Sequence, residues 1–574
     1  MRNLTRRIGS PALRPALLAA AAVALIAAGG GAAGVAAGHD HTAATRSHRA
    51  HDDGFGHRRP DAKVKHGVLL VRGSNASDAI ALRLQAGNPN VLQVDFGDDG
   101  YADFSFSRNR FARIVVDARE GDDRVRIDDS NGAFTNTFPT TIDGGDGNDT
   151  IAGGTGAETL IGGYGNDSID GNGGNDAADL GPGDDTFVWD PGDGSDTIEG
   201  RDGNDTMVFN GANADEQVAL SANGNRLKFF RAQGTITMDT AGVERVDFNA
   251  LGGADLVTVN DLTGTDVSSV NVDEAGTLGG TAPDGQRDQV TVNGTNGDDR
   301  VDVSGNAAGV AVSGLAARVT ILHQDPTDVL AVNGLGGNDA ISAAALAAQS
   351  IALVLDGGAG NDTLAGGPGV ETLNGRDGND TVDGNGGNDA ALLGAGDDTF
   401  VWDPGDGSDT IEGEAGTDTM RFNGANADEQ VTLSANGNRL TFFRVQANVT
   451  MDTAGVELVD FNALGGADLV TVNDLTGTDV KAVTVDLAAT LGGTAGDGQA
   501  DRVVVNGTNG DDAIAVVGDS TQVRTGGLVP GTAILHPEVR DHLEVNTLAG
   551  QDSVDSGGLA AGAIQLFVNG LLTP

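Results

Sequence analysis

The stretch from Gly144 to Val188 most constrains what this chain can fold into. It reads GGDGNDTIA, GGTGAETLI, GGYGNDSID, GNGGNDAAD and LGPGDDTFV, five consecutive nine-residue units. Glycine recurs at the first, second and fourth places, an acid at the sixth and an apolar residue at the eighth. The acids are Asp149, Glu158, Asp167, Asp176 and Asp185; the apolar residues are Ile151, Leu160, Ile169, Ala178 and Phe187. A second run, from Gly357 to Val401, places Asp362, Glu371, Asp380, Asp389 and Asp398 at the sixth positions.

Six residues of each unit suit a turn and three a short strand. Glycine permits positive φ and close backbone approach, and the tail of Thr or Ser beside an aliphatic residue has strand character. Successive turns must alternate between two sides, so two units complete one coil. Acids eighteen residues apart then stack: Asp149, Asp167 and Asp185 on one side, Glu158 and Asp176 on the other. Ordering a glycine-rich nonapeptide costs more than one buried aliphatic side chain offsets, and stacked carboxylates repel. A hard divalent cation reverses that sign, since calcium takes six to eight oxygens from carboxylates and carbonyls. The repeat therefore makes most sense as a cation-dependent fold.

These units resemble the RTX, or hemolysin-type, calcium-binding nonapeptide G-G-x-G-x-D-x-U-x. The resemblance implies a parallel β-roll with Ca2+ between successive turns, the sixth-place acids as side-chain ligands and turn carbonyls completing the shell. Glu158 and Glu371 depart from the usual Asp, and their extra methylene predicts weakened or rearranged sites. Gly171-Asn172-Gly173-Gly174 and Leu180-Gly181 break the paired-glycine start.

A closing unit follows each run, FVWDPGDGSDTIEG from Phe187 and again from Phe400. Asp190, Asp193, Asp196 and Asp205 can extend the first ladder, and Asp403, Asp406, Asp409 and Asp418 the second. Asp196 and Asp409 are favoured, because each precedes a Thr-Ile strand as in the core repeat. Trp189 and Trp402 are expected to cap the roll ends. The metal-ligand set read from the sequence is thus Asp149, Glu158, Asp167, Asp176, Asp185, Asp196 and Asp205, with Asp362, Glu371, Asp380, Asp389, Asp398, Asp409 and Asp418.

The chain has 574 residues, 83 acids against 34 Lys and Arg, and a net charge of −49. That balance argues against nucleic acid or anionic lipid as a partner and suits cation binding. With no cysteine there are no disulfides, leaving metal and repetition as the staples of a secreted chain. Residues 1–37 read as a secretory signal, with Arg2, Arg6, Arg7 and Arg14 before an Ala-rich apolar run. Residues 38–63 form a His-rich leader expected to be disordered. Beyond it the pattern is all strand: a β repeat segment (64–142), the first roll (143–208), a β-rich spacer (209–355), the second roll (356–421) and a second spacer (422–574). Gly144 matches Gly357, Phe187 matches Phe400, Asp255 matches Asp468 and Asp299 matches Asp512, a tandem duplication with an offset of 213 residues. The predicted fold is all-β, two parallel β-roll blocks alternating with strand-rich repeat segments. Single turns around Asp78, Asp123, Asp255, Asp299 and Asp339 lack a stacked neighbour in sequence, so their acids are expected to cap turns.

Nothing in the chain matches a zinc-protease helix, a serine nucleophile elbow, a phosphate loop or a cysteine nucleophile. His323 and His536 occupy equivalent places and are expected to be structural. The sequence therefore points away from an enzyme. It points to a secreted, extracellular calcium-binding repeat protein whose rolls fold with calcium, in a surface, matrix or adhesion role with an unspecified partner. The alternative is a secreted hydrolase or toxin-like protein in which the rolls assist folding.

Overall fold

The computed structural model describes residues 59–573. The signal expected over 1–37, and the leader as far as residue 58, lie outside the described residues. The first strand, Asp61–Lys65, begins inside the stretch read as leader.

Alternation of apolar and polar residues in short strands dictates a two-sided coil. Ile151 pairs in parallel with Ile169, and Ile169 with Phe187. On the opposite side Leu160 pairs with Ile142 and Ala178. Each of these side chains is buried, so the two sheets face each other across one apolar core. One sheet contains 25 strands; the other takes the intervening ones. Strands in the rolls are as short as Thr150–Ala152 and Ser168–Asp170. Others run on through the glycines, as Glu158–Tyr164 does. Gly145 has no room for a side chain: its φ is +107°, and a Cβ on it would strike the Arg119 carbonyl of the preceding coil.

The β-rich spacers are not separate units. Ile198, in the last coil of the first roll, pairs with Thr240, so the same sheet continues across the predicted boundary. The intervening chain forms an antiparallel excursion, Gln217–Asn223, Arg226–Arg231 and Ile236–Ala241, added edge to edge. Gln217–Asn223 then hands the sheet on to Leu256–Val259 in parallel. The other sheet has a matching excursion at Arg300–Asn306, Gly309–Ser313 and Arg318–Leu322. The duplicate repeats the first of these at Gln430–Asn436, Arg439–Arg444 and Val449–Ala454. Roll and spacer alternate along one solenoid, with the two copies in tandem.

Trp189 and Trp402 therefore do not cap roll ends. Trp189 lies inside the continuous core, stacked on Phe209 at 3.9 Å between ring centroids, with Phe229 packed beyond it. Its indole N–H donates to the Gly194 carbonyl at 2.9 Å. Trp402 repeats the stack on Phe422. Where the excursions at 217–241 and 430–454 thicken the coil, aromatic rings fill the added width.

Candidate metal centre

Each sixth-place acid sits where a turn meets a strand, and the coil stack brings these acids into rows. The Asp149 N–H donates to Oδ1 of Asp167, the Asp167 N–H to Asp185 and the Asp185 N–H to Asp205, at 2.7–2.9 Å. Opposite, the Glu158 N–H donates to Asp176 and the Asp176 N–H to Asp196. In the second copy one row joins Asp362, Asp380, Asp398 and Asp418, and the other Glu371, Asp389 and Asp409. Stacking is thus not purely repulsive. One oxygen of each acceptor carboxylate takes a charge-assisted hydrogen bond from the neighbouring coil.

The second oxygen is different. Oδ2 of Asp149, Asp167, Asp176, Asp185, Asp196 and Asp205, and of their counterparts Asp362, Asp380, Asp389, Asp398, Asp409 and Asp418, is buried with no hydrogen-bond partner. At Asp149, Asp167, Asp176, Asp205, Asp362, Asp380, Asp389 and Asp418 this atom lies against the glycine that opens the turn; at Asp185, Asp196, Asp398 and Asp409 that place is Leu180, Pro191, Leu393 or Pro404. A Cβ on Gly144 would strike both Asp149 Oδ2 and the Gly162 carbonyl of the next coil. On Gly162 it would meet Asp167 Oδ2 and the Leu180 carbonyl, and on Gly375 Asp380 Oδ2 and the Leu393 carbonyl. Glycine keeps open a cradle where a carboxylate oxygen and a carbonyl oxygen converge. A hard cation fits that all-oxygen donor set.

Burial, the largest influence, opposes ionisation of these acids. It pushes Asp149 up to about 6 and Asp185 up to about 7, with neighbouring carboxylates adding to it against the backbone hydrogen bond each accepts. Asp176 and Asp389 are pushed up to about 8, where Glu158 or Glu371 adds its charge. Without a cation, these carboxylates hold protons that ordinary ones release.

The two glutamates place their carboxylates differently from the aspartates. Glu158 turns Oε2 onto the Gly154 N–H at 2.8 Å, leaving Oε1 buried and unpartnered. Glu371 accepts from the Gly367 N–H in the same way. Among the closing-unit acids, Asp190 and Asp193 stay out of the rows, the Asp190 N–H donating to Asp193 Oδ2. Asp403 and Asp406 do likewise. Asp205 and Asp418 sit in the rows as fully as Asp196 and Asp409.

The turns that look isolated in sequence are not isolated in space. The Asp78 N–H donates to Asp123 Oδ1, and the Asp123 N–H to Asp149 Oδ1, carrying a row into the first roll. The row from Asp299 passes through Asp339 into Asp362. Asp123 and Asp339 also carry buried, unpartnered Oδ2 atoms. Their partners lie 45, 26, 40 and 23 residues away, so no fixed period reveals them. Sequence reasoning also missed Glu216, Glu244, Asp288 and Asp328. Glu244 accepts the Asp205 N–H and ends that row; Glu216, Asp255, Asp288 and Asp328 form another. A signal was there, an acid followed two places on by an aliphatic residue, as in Glu216-Gln217-Val218. It carries none of the repeat's glycine pattern at Asp288 and Asp328.

Row acids in the spacers also meet cations of the chain's own. Arg231 Nε donates to Glu216 Oε1 at 2.5 Å, and the Glu216 side chain is buried. The guanidinium also lies over the Trp189 ring, 5.6 Å from its centroid. Arg444 serves Glu429 and Trp402 identically. His323 and His536 each pair through Nδ1 with an aspartate, Asp273 and Asp486.

A family model described as the RTX calcium-binding nonapeptide repeat matches residues 141–157, 152–187, 192–213, 354–370, 365–400 and 405–426. All fourteen acids of the sequence-derived set fall within those segments. No curated protein matches the chain. Among solved structures, the crystal structure of extracellular lipase LipA from Serratia marcescens is similar at 16% identity with a TM-score of 0.14. The match covers 60% of this chain and 43% of the lipase chain.

Proposed function

Because the chain carries RTX calcium-binding nonapeptide repeats in both copies of its duplication, we propose that it is a secreted calcium-binding repeat protein whose rolls complete their folding on calcium. The ligands are the fourteen acids of the rows, Asp149 to Asp205 and Asp362 to Asp418, with turn carbonyls beside them. The observation that carries this reading is the succession of buried carboxylate oxygens without partners, of which those of Asp149, Asp167, Asp205, Asp380 and Asp418 face a carbonyl of another coil across a glycine. Where calcium is scarce the carboxylates repel or take protons and the rolls stay expanded; outside the cell calcium draws the coils together. The folded solenoid then serves as a surface, matrix or adhesion element and not as an enzyme. The same carboxylate geometry recurs from coil to coil, which suits repeated binding of one ion.

Far-UV circular dichroism of the full chain during a calcium titration, with magnesium as control, tests this reading. A cooperative gain of β signal on calcium alone is the expected result. A spectrum already folded in chelator and indifferent to calcium overturns it. A panel of hydrolase assays tests the non-enzymatic role, which turnover surviving substitution of the roll acids would rule out.

A further inference from the structure

Outside the matched repeat segments, three carboxylates from three different coils meet inside the first spacer. Glu274 follows the strand Ser269–Asp273, Asp288 precedes Gln289–Asn293 and Asp328 precedes Val329–Asn333. One oxygen from each lies within 4.8 Å of the others, and the three residues are 2–3% exposed. Asp288 accepts the Asp255 N–H at 2.7 Å; Asp328 accepts the Asp288 N–H at 3.0 Å and the Asp325 N–H. Glu274 Oε2 is buried with no hydrogen-bond partner. Among the described residues no Lys, Arg or His pairs with any of the three, whereas Glu216 has Arg231.

The duplication supplies an internal control. At the offset of 213 residues, Asp288 and Asp328 become Asp501 and Asp541, but Glu274 becomes Leu487. The backbone is the same: the Glu274 N–H donates to the Leu322 carbonyl and the Leu487 N–H to the Leu535 carbonyl. Leu487 is buried like Glu274. An apolar side chain therefore satisfies this place in the solenoid, and the fold does not require a carboxylate there. Three buried carboxylates without a counter-charge are among the costliest arrangements a core can hold.

We propose that Glu274, Asp288 and Asp328 form a buried site for a hard divalent cation of the calcium type, present in the first spacer and absent from the second. All-oxygen donors without His or Cys select such an ion over a transition metal. Three carboxylates more than balance its charge. Without the ion, burial and then the charges of Asp328 and Asp288 push Glu274 up to about 10, so a proton takes its place.

Two measurements on the full chain test the site. In a crystal grown in calcium, long-wavelength anomalous maps are expected to show a peak among Glu274, Asp288 and Asp328 and none beside Leu487. Peaks along the rolls with none at Glu274 overturn the site and leave the function of the rolls standing; a peak at Glu274 without peaks in the rolls does the reverse. In thermal melts, Glu274→Leu is expected to raise the melting temperature of the spacer in chelator and lower it in excess calcium. Leu487→Glu lowers it in chelator, with recovery in calcium. A Glu274→Leu chain more stable by the same shift in both conditions makes Glu274 a buried neutral acid and overturns the proposal.

Discussion

The nonapeptide coils and the spacer coils solve one problem in two ways. Both stack an acid at the turn-to-strand junction, and both spend one carboxylate oxygen on the N–H of a neighbouring coil's acid. At roll acids such as Asp149 and Asp167 the other oxygen faces a glycine cradle and has no partner. In the spacer, Glu216 meets Arg231, delivered by a strand of the antiparallel excursion. Eighteen-residue coils are too short to carry such a strand, and their core is correspondingly thin, with Ala178 between Leu160 and Ile198. Longer coils bring an arginine and the aromatic stack of Trp189, Phe209 and Phe229 together. On the proposed function, a repeat that minimises its length imports its cation; one that lengthens can build it in.

That contrast predicts the largest effect on calcium removal. In chelator, hydrogen exchange is expected to show amides of 144–208 and 357–421 losing protection. Those of the excursions at 217–241 and 430–454 should retain it. Equal loss in both regions breaks the contrast.

The next effect is on pH. Asp149, Asp185 and Asp176 are raised to about 6, 7 and 8 in the folded chain, against about 4 when unfolded. Between these values the folded state holds protons that the unfolded state has released, so stability falls as pH rises. In chelator the melting temperature should be higher at about pH 5 than at about pH 8. In saturating calcium the slope should flatten or reverse, because the ion displaces those protons. A chelator slope that rises with pH contradicts the assignment.

Arg231→Met should destabilise by about 3–5 kcal/mol, since it leaves a buried carboxylate unpaired. Denaturant melts should give the same loss in calcium and in chelator; a loss seen only in chelator would mean that calcium can replace the guanidinium. The smallest effects separate the two oxygens of one acid. Asp167→Ala removes the acceptor for the Asp149 N–H and should cost about 1–3 kcal/mol with or without calcium. Asp167→Asn keeps an acceptor and removes the charge, so its loss should appear in calcium titrations and scarcely in chelator.

Much of this was legible in the chain. Nine-residue periodicity places Ile151, Leu160 and Ile169 on two facing sheets, and the acids eighteen apart form the expected rows. Asp205 and Asp418 entered the set beside the favoured Asp196 and Asp409, and they stand in the rows equally. Legibility failed where the period failed. Asp123 reads as a lone turn, yet it hydrogen-bonds into the row of Asp149 because a 26-residue coil closes to the same register. Trp189 reads as a cap because the roll motif ends there, yet the sheets continue through Thr240.

The sequence by itself determined the coil, since glycine, acid and aliphatic residue at fixed places leave the backbone few other choices. It also determined the polarity of each unit and the duplication. Only the tertiary structure decided which charges meet. Arg231 reaches Glu216 through a strand excursion, and Glu274 joins Asp288 and Asp328 from three separate coils. Such meetings depend on how many residues each coil takes to come round to the same register. That length is set by the packing of the whole stack, and no local pattern records it.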